Sequence, residues 1–296
     1  LCVGASLLAL PACGDEPLPE SIHRRAGTLV LDGCTLDSWQ KNTLASRTTA
    51  AVVSRIIVLC PALREGAVAP TTAEGRQALA DTVASLHTQG YAVDLGITAR
   101  DEQGRELDAT RLAPLLRDPL ARESSISAIA ALSPIADGIV VALPQLPQTS
   151  EPDLTAWINQ LATALPGKKP SLFAPPSGSE PSDLPGGSAL NLRAVQGSVN
   201  QVYAMILDLH CCDNVAGPTT DSGWIDAVVG LAQTQLGRSS VHFALPLYGT
   251  SFVSPVTQPT QRAVTYLEAV GLASQQNLQI LRSEAGDLHY SYTASD

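Results

Sequence analysis

Seven short apolar runs, each rich in β-branched residues, recur along the chain and alternate with longer stretches of helical period. They are TLVLDGC (Thr28 to Cys34), SRIIVLC (Ser54 to Cys60), YAVDLGIT (Tyr91 to Thr98), DGIVVALP (Asp137 to Pro144), PSLFAPP (Pro170 to Pro176), VYAMILDLH (Val202 to His210) and HFALPLYG (His242 to Gly249). Near-continuous hydrophobicity is what parallel strands need, because helices cover both their faces. Between these runs, residues 73–89, 121–132, 153–165 and 224–236 place apolar side chains at helical spacing. Gly90, Gly167 and Gly237 stand where helix C-caps are expected. Seven such units predict an α/β fold, a TIM (β/α)8 barrel one strand short. A doubly wound open sheet is the alternative, because periodicity does not distinguish a closed sheet from an open one.

With 296 residues, 45% of them hydrophobic, the chain has enough apolar material for a sizeable core. Its net charge of −10 argues against nucleic acid or an anionic membrane surface as a partner, since both would repel it.

The chain begins at Leu1, and Cys2 to Ala12 is an apolar, small-residue run of the kind found in the core of a secretory signal. It ends in Leu10-Pro11-Ala12-Cys13 before Gly14-Asp15-Glu16, which resembles a bacterial lipobox with Cys13 as the lipid attachment residue; Pro11 is unusual in that motif. An ordinary signal peptide with a chance cysteine, or a short buried helix, is the alternative, and the abrupt change to Asp-Glu-Pro favours the anchor. Residues 1–13 are therefore expected to be a signal remnant, residues 14–26 a polar tether, and residues 27–296 the barrel. The protein is expected to be exported to the bacterial envelope, meeting the membrane through its lipid alone. No other stretch approaches the ~18 unbroken apolar residues that a membrane span needs.

DGIVVALP occupies the fourth strand position, where family-18 glycoside hydrolases carry Asp-Gly, then Asp, Asp and Glu at every second residue. On that motif Asp137, Gly138, Ile139, Val141 and Leu143 match, while Val140, Ala142 and Pro144 stand at the two further Asp positions and the catalytic Glu. Alternation sends every second side chain of a barrel strand inward, which is why such carboxylates stack along one face. Three more segments resemble the family in the same order. VNQVYAMILDLHCCDNVAGPTTDSGW (Val199 to Trp224) resembles the sixth-strand region, with Met205 and Asp208 matching and Leu207 replacing a tyrosine. ALPLYG (Ala244 to Gly249) resembles the seventh strand, and LNLRAVQGSVNQV (Leu190 to Val202) the helix and loop before the sixth. The resemblance covers Gly27 to the chain end and is nearest to the family's bacterial cell-wall and spore-associated branch. No eighth strand with its tryptophan follows Tyr292, so a barrel truncated at Asp296 is expected.

The resemblance implies substrate-assisted hydrolysis of N-acetylhexosaminides, one of the exceptions to the usual two-carboxylate scheme. Proline has no proton to give and Ala142 cannot orient an acetamido group, so the catalytic set is expected to be empty. Asp137, Asp208, Tyr248, Trp39 and Met205 are the candidate glycan-binding residues. Glu151 and Asp153 are candidate displaced acids, although the position suits a helix N-terminus better. For Asp208 a ligand contact and a structural hydrogen bond weigh about equally. Tyr248 equally suits packing at the barrel rim, and Trp157 and Trp224 lie on helical stripes and read as core.

His210-Cys211-Cys212-Asp213, with Cys34 and Cys60, gathers every cysteine beyond Cys13 at predicted strand ends, which suits a soft metal. A Cys34–Cys60 disulfide is the alternative and is preferred in an exported protein. No metal or cofactor is therefore expected. His23, His87, His242 and His289 are scattered and read as surface or satisfied core residues. Three functions follow as expectations: a pseudo-hydrolase binding peptidoglycan or chitin-type glycans, an active glycosidase with displaced acids, and a metal or thiol protein on the same barrel.

Overall fold

The computed structural model describes residues 27–64, 67–101, 103–144, 146–174, 189–206, 217–236, 241–252, 262–284 and 288–292. Cys13 with the signal and tether, Asp208, the His210 to Asp213 cluster and Gly237 lie outside the described residues. The described residues form two compact units, one from residues 27–174 and 189–202, the other from residues 203–292.

The first unit runs β1 (Gly27–Asp32), α1 (Ser38–Leu44), α2 (Arg47–Val52), β2 (Val53–Arg64), β3 (Ala67–Ala69), α3 (Ala73–Thr88), β4 (Ala92–Ala99), α4 (Ala109–Arg117), α5 (Pro119–Leu132), β5 (Gly138–Val141), α6 (Glu151–Ala164), β6 (Ser171–Ala174) and α7 (Leu192–Val195). Its helices start where the sequence supplies caps. Thr72 accepts from the Gly75 N–H at the head of α3, and Gly90 follows that helix at φ 89°, the left-handed conformation that suits a residue without Cβ. Asp118 ends α4 and caps α5, and Pro119 enforces the break by bringing no N–H to continue α4.

β1, β2, β4, β5 and β6 pair in parallel in that order, with Leu29 opposite Ile56, Ile56 opposite Val93, Leu95 opposite Ile139 and Val141 opposite Leu172. Strands that follow one another in space as in sequence, with helices between, are the construction of a (β/α) barrel. The doubly wound alternative would reverse the order at a switch point, and this unit has none. β3 is antiparallel to the end of β2.

One sheet face supplies Ile56, Val58, Val93, Leu95, Ile97, Ile139 and Val141 to a core shared with Leu79 and Leu86 of α3, Leu112 and Leu116 of α4, Ile129 of α5, and Trp157 and Leu161 of α6. Each such side chain contributes about 1.5–3 kcal/mol when fully buried. By alternation, Ile57, Asp94, Gly96, Thr98 and Val140 point the other way. Ile57 and Val140 are nonetheless fully buried, so both faces of the sheet are covered, as the continuous apolar runs require.

The second unit contains β7 (Val202–Met205), whose first residue belongs to the first unit, then α8 (Ser222–Leu236), β8 (Val241–Ala244), β9 (Tyr248–Ser251), β10 (Arg262–Thr265), α9 (Tyr266–Gln275), β11 (Leu281–Arg282) and β12 (Leu288–His289). Ala204, Ile206 and Val228 form its small core, flanked by Trp224 and Val241. The Ile206 N–H donates to the Ala244 carbonyl at 2.9 Å. The predicted run from His242 to Gly249 divides at Leu245–Leu247, where Pro246 has no N–H for a ladder, and Tyr248 opens the antiparallel β9–β10 pair. Among the described residues no helix is long and apolar enough to cross a membrane.

Candidate functional site

In a (β/α) barrel the carboxyl ends of the strands carry the chemistry. At that rim of the first unit, Cys34, just past β1, and Cys60, in β2, form a disulfide with Cα atoms 4.8 Å apart. The Gly33 N–H donates to the Leu59 carbonyl at 3.1 Å and the Thr82 hydroxyl to the Cys34 carbonyl at 3.0 Å, so the turn after β1 is tied at several points. Asp37 and Gln40 close a capping box, and Trp39 lies in the first turn of α1. With both sulfurs bonded to each other, Cys34 and Cys60 are withdrawn from any thiolate set. Among the described residues no three His, Cys, Asp or Glu side chains gather as a metal site.

Also at this rim, Arg100 Nη2 donates to Asp32 Oδ1 at 2.9 Å, linking the ends of β1 and β4 past the intervening β2. The next residue, Asp101, is buried and organises the loop after β4. It accepts from the Gln103 and Arg105 N–H groups and from Arg105 Nε, each at 2.9 Å. Burial pushes its pKa up, but the hydrogen bonds and charge of Arg105 outweigh that and hold it below the ordinary value.

The β5 positions sort by the same alternation. Ile139, Val141 and Leu143 pack toward the helices, leaving Val140 and Ala142 on the opposite face, with Pro144 in the segment past the end of the strand. That face holds no titratable group along β5. Below it, Asp94 pairs with Arg55 at 2.5 Å; burial lifts the Asp94 carboxyl above its usual range and Arg55 only partly offsets this.

Asp137 stands at the amino end of β5, the end opposite to that rim. Its Oδ2 accepts the Val93 N–H at 2.7 Å and faces His87 Nε2 at 3.0 Å. Partial burial raises its pKa, while the Val93 N–H and then His87 lower it further, so the carboxyl lies below its ordinary value. The Asp-Gly pair therefore joins β4, β5 and the end of α3. Gly138 is needed because a Cβ there would lie 2.6 Å from Asp94 Oδ1.

Glu151 and Asp153 occupy the first turn of α6, where the helix dipole favours negative charge. Glu151 Oε1 accepts from Asn191 Nδ2 at 2.6 Å, and Asp153 pairs with Arg117 at 3.3 Å. Trp157 is fully buried and donates Nε1–H to the Ser125 hydroxyl at 3.0 Å. In the second unit, Met205 ends β7 half-buried, on the face opposite Ala204 and Ile206, and Tyr248 is half-buried in β9 opposite Thr265. His242 packs against Tyr203, with ring centroids 5.3 Å apart. Sequence reading passed over Asp32 and Arg100, although both have the parity of the inward-facing positions.

No family model and no curated protein sequence matches the chain. Solved structures do match. The spore cortex-lytic enzyme SleL from Bacillus cereus superposes with a TM-score of 0.74 at 18% identity, covering 91% of this chain and 62% of SleL, less than two thirds of its length. A chitinase from Chromobacterium violaceum gives a TM-score of 0.70 at 16% identity, covering 88% of this chain and 80% of the chitinase. A family-18 chitinase from Cycas revoluta, solved in complex with (GlcNAc)4, gives 0.65 at 12% identity, covering 88% and 83%. The fold is thus the TIM-barrel type of family-18 chitinases and spore cortex-lytic enzymes.

Proposed function

We propose that this chain is an exported, envelope-anchored protein that binds N-acetylhexosamine-containing glycans of the peptidoglycan or chitin type without efficient hydrolysis. The observation that carries the reading is the run from Val140 in β5 to Ala142 and Pro144 just past its carboxyl end, where a strand in the position of the hydrolase motif leads to residues with no proton donor. General acid catalysis contributes about 10²–10⁴-fold, so its loss leaves at most a trace of turnover. Glu151 and Asp153 do not supply a replacement, because each is engaged at the head of α6. Glycan binding is supported by the similarity of the fold to chitinases, one of them solved with a GlcNAc oligomer. Lipidation at Cys13 supplies the anchor in this reading.

Sedimentation of the purified protein with peptidoglycan sacculi and with chitin, alongside chromophore release from an aryl GlcNAc oligomer, tests the proposal. Binding to at least one polymer without chromophore release is the expected result; sustained release, or binding to neither, overturns it. Replacement of Cys13 by Ala in the full-length protein is expected to move it from the membrane fraction to the soluble one.

A further inference from the structure

Asp32 and Arg100 have the alternation parity of the face that carries Val140 and Ala142. Leu29 and Leu31 of β1 pack toward the helices, as do Val93, Leu95, Ile97 and Ala99 of β4, which leaves Asp32 and Arg100 on the other side. Arg100 keeps strand geometry, since its N–H donates to the Leu63 carbonyl at 3.0 Å and it bridges to Glu106. The β4–β5 register sets Gly96 opposite Val140 and Ile97 opposite Val141, and the Ala142 N–H continues the ladder to the Ile97 carbonyl at 2.8 Å. The ladder closes at that bond, with β5 ending at Val141 and Arg100 following the end of β4 at Ala99, so Arg100 stands at the same carboxyl rim as the segment that follows β5. A guanidinium thus stands at the rim where the family resemblance places the acid.

We propose that Asp32 and Arg100 are the polar anchor of the cleft, hydrogen-bonding the hydroxyl and acetamido groups of a neutral N-acetylhexosamine; this rests on the glycan-binding reading above. Only one oxygen and one nitrogen are consumed by their mutual bond. Asp32 keeps a second carboxylate oxygen, and Arg100 keeps Nε and Nη1, without a partner among the described residues. The carboxylate accepts and the guanidinium donates, which matches a sugar hydroxyl that does both. Their side chains are 61% and 33% exposed, so both are reachable from solvent while remaining oriented by each other. Arginine does not give up its proton in proteins, so the pair binds sugar without replacing the missing acid. Neutral sugar is favoured over an anionic one because the Arg100 charge is already met by Asp32, and Arg105 and Arg111 are drawn to Asp101.

Isothermal titration of the full chain with a soluble β-1,4-linked GlcNAc tetramer tests the inference. Arg100→Ala and Asp32→Ala are expected to weaken binding at least about tenfold, the loss of one charge-assisted hydrogen bond. Arg100→Lys keeps the charge toward Asp32 and lacks the planar fork, so it should match the wild type in thermal melting and still bind about tenfold more weakly. Arg117→Ala, which breaks an exposed pair of similar kind with Asp153, should leave binding unchanged. Wild-type binding with unaltered affinity in all Asp32 and Arg100 variants overturns the anchor alone. Wild-type binding to neither the tetramer nor either polymer overturns the glycan-binding reading and the anchor with it.

Discussion

Gly138 sits against Asp94 so closely that a methyl group on it would lie 2.6 Å from Asp94 Oδ1. Asp94 has little room to withdraw, being buried and bound to Arg55. Gly138→Ala is therefore expected to break the Arg55–Asp94 pair and to destabilise the fold by about 1–3 kcal/mol, the usual range for overpacking. Urea denaturation of the two proteins checks this. An unchanged midpoint would mean that the carboxylate moves aside without loss.

Asp137 holds the amide of Val93 and faces His87, and its folded pKa lies below the ordinary carboxylate value of 3.8. A depressed carboxylate stabilises the fold fully above its unfolded pKa, and that contribution disappears as pH falls through the lower folded value. Asp137→Ala is expected to destabilise the protein at pH 7 by about 1 kcal/mol, since the Val93 N–H loses its acceptor and the site is half exposed. The difference from wild type should shrink below about pH 3.8, as the wild-type group takes up its proton. Melting temperatures at pH 7 and pH 3 measure both effects, and a difference that grows at low pH contradicts the assignment.

Trp157 of α6 is fully buried, and its indole nitrogen donates to the Ser125 hydroxyl of α5. Trp157→Ala is expected to cost about 3–5 kcal/mol through the cavity it leaves. Trp157→Phe keeps most of the volume and removes one hydrogen bond, while the Ser125 hydroxyl still donates to the Arg122 carbonyl at 2.8 Å, and should cost about 1 kcal/mol. Chemical denaturation ranks the two variants.

The Cys34–Cys60 bond closes a loop with a sequence separation of 26. Chain entropy gives such a closure a stabilisation of about 3–4 kcal/mol. Replacing both cysteines by serine should lower stability by that order, and mass spectrometry of alkylated native protein should find neither sulfur labelled. Labelling of both in protein purified without reductant would return the pair to the thiolate reading.

Much of the fold was legible in the sequence because helix and strand periods differ and the relevant runs are long. The strand positions follow from that contrast, as do the helices expected over 73–89 and 224–236 and found over 73–88 and 222–236. Shorter elements did not announce themselves. α1 and α2 span seven and six residues, too few for a periodic signal, and β3 is three residues whose pairing depends on a turn back along β2. Tyr248 was assigned to a continuous strand because an apolar run hides the break that Pro246 imposes.

The site was legible in one dimension only. Alternation correctly separates Val140 and Ala142 from Ile139 and Val141, because parity along a strand is a local property. It does not tell which end of a strand a residue occupies relative to its neighbours. Asp137 thus reads as a cleft residue in sequence, while pairing with Val93 sets it at the amino end of β5. Asp32 and Arg100, 68 positions apart, come together only through the paired registers of β1, β2 and β4.

The monotonic strand order of the first unit also bears on how that unit is put together. Thr28 meets Arg55, Arg55 meets Ala92, Asp94 meets Gly138 and Val140 meets Ser171. Each parallel strand from β2 to β6 finds its earlier neighbour already synthesised, so the sheet can be laid down in the direction the polypeptide emerges. Each of these strands after the first meets, on one edge, a neighbour made before it. The Cys34–Cys60 bridge falls within the first of these pairings, so the one covalent fastening among the described strands joins the pair that is made first.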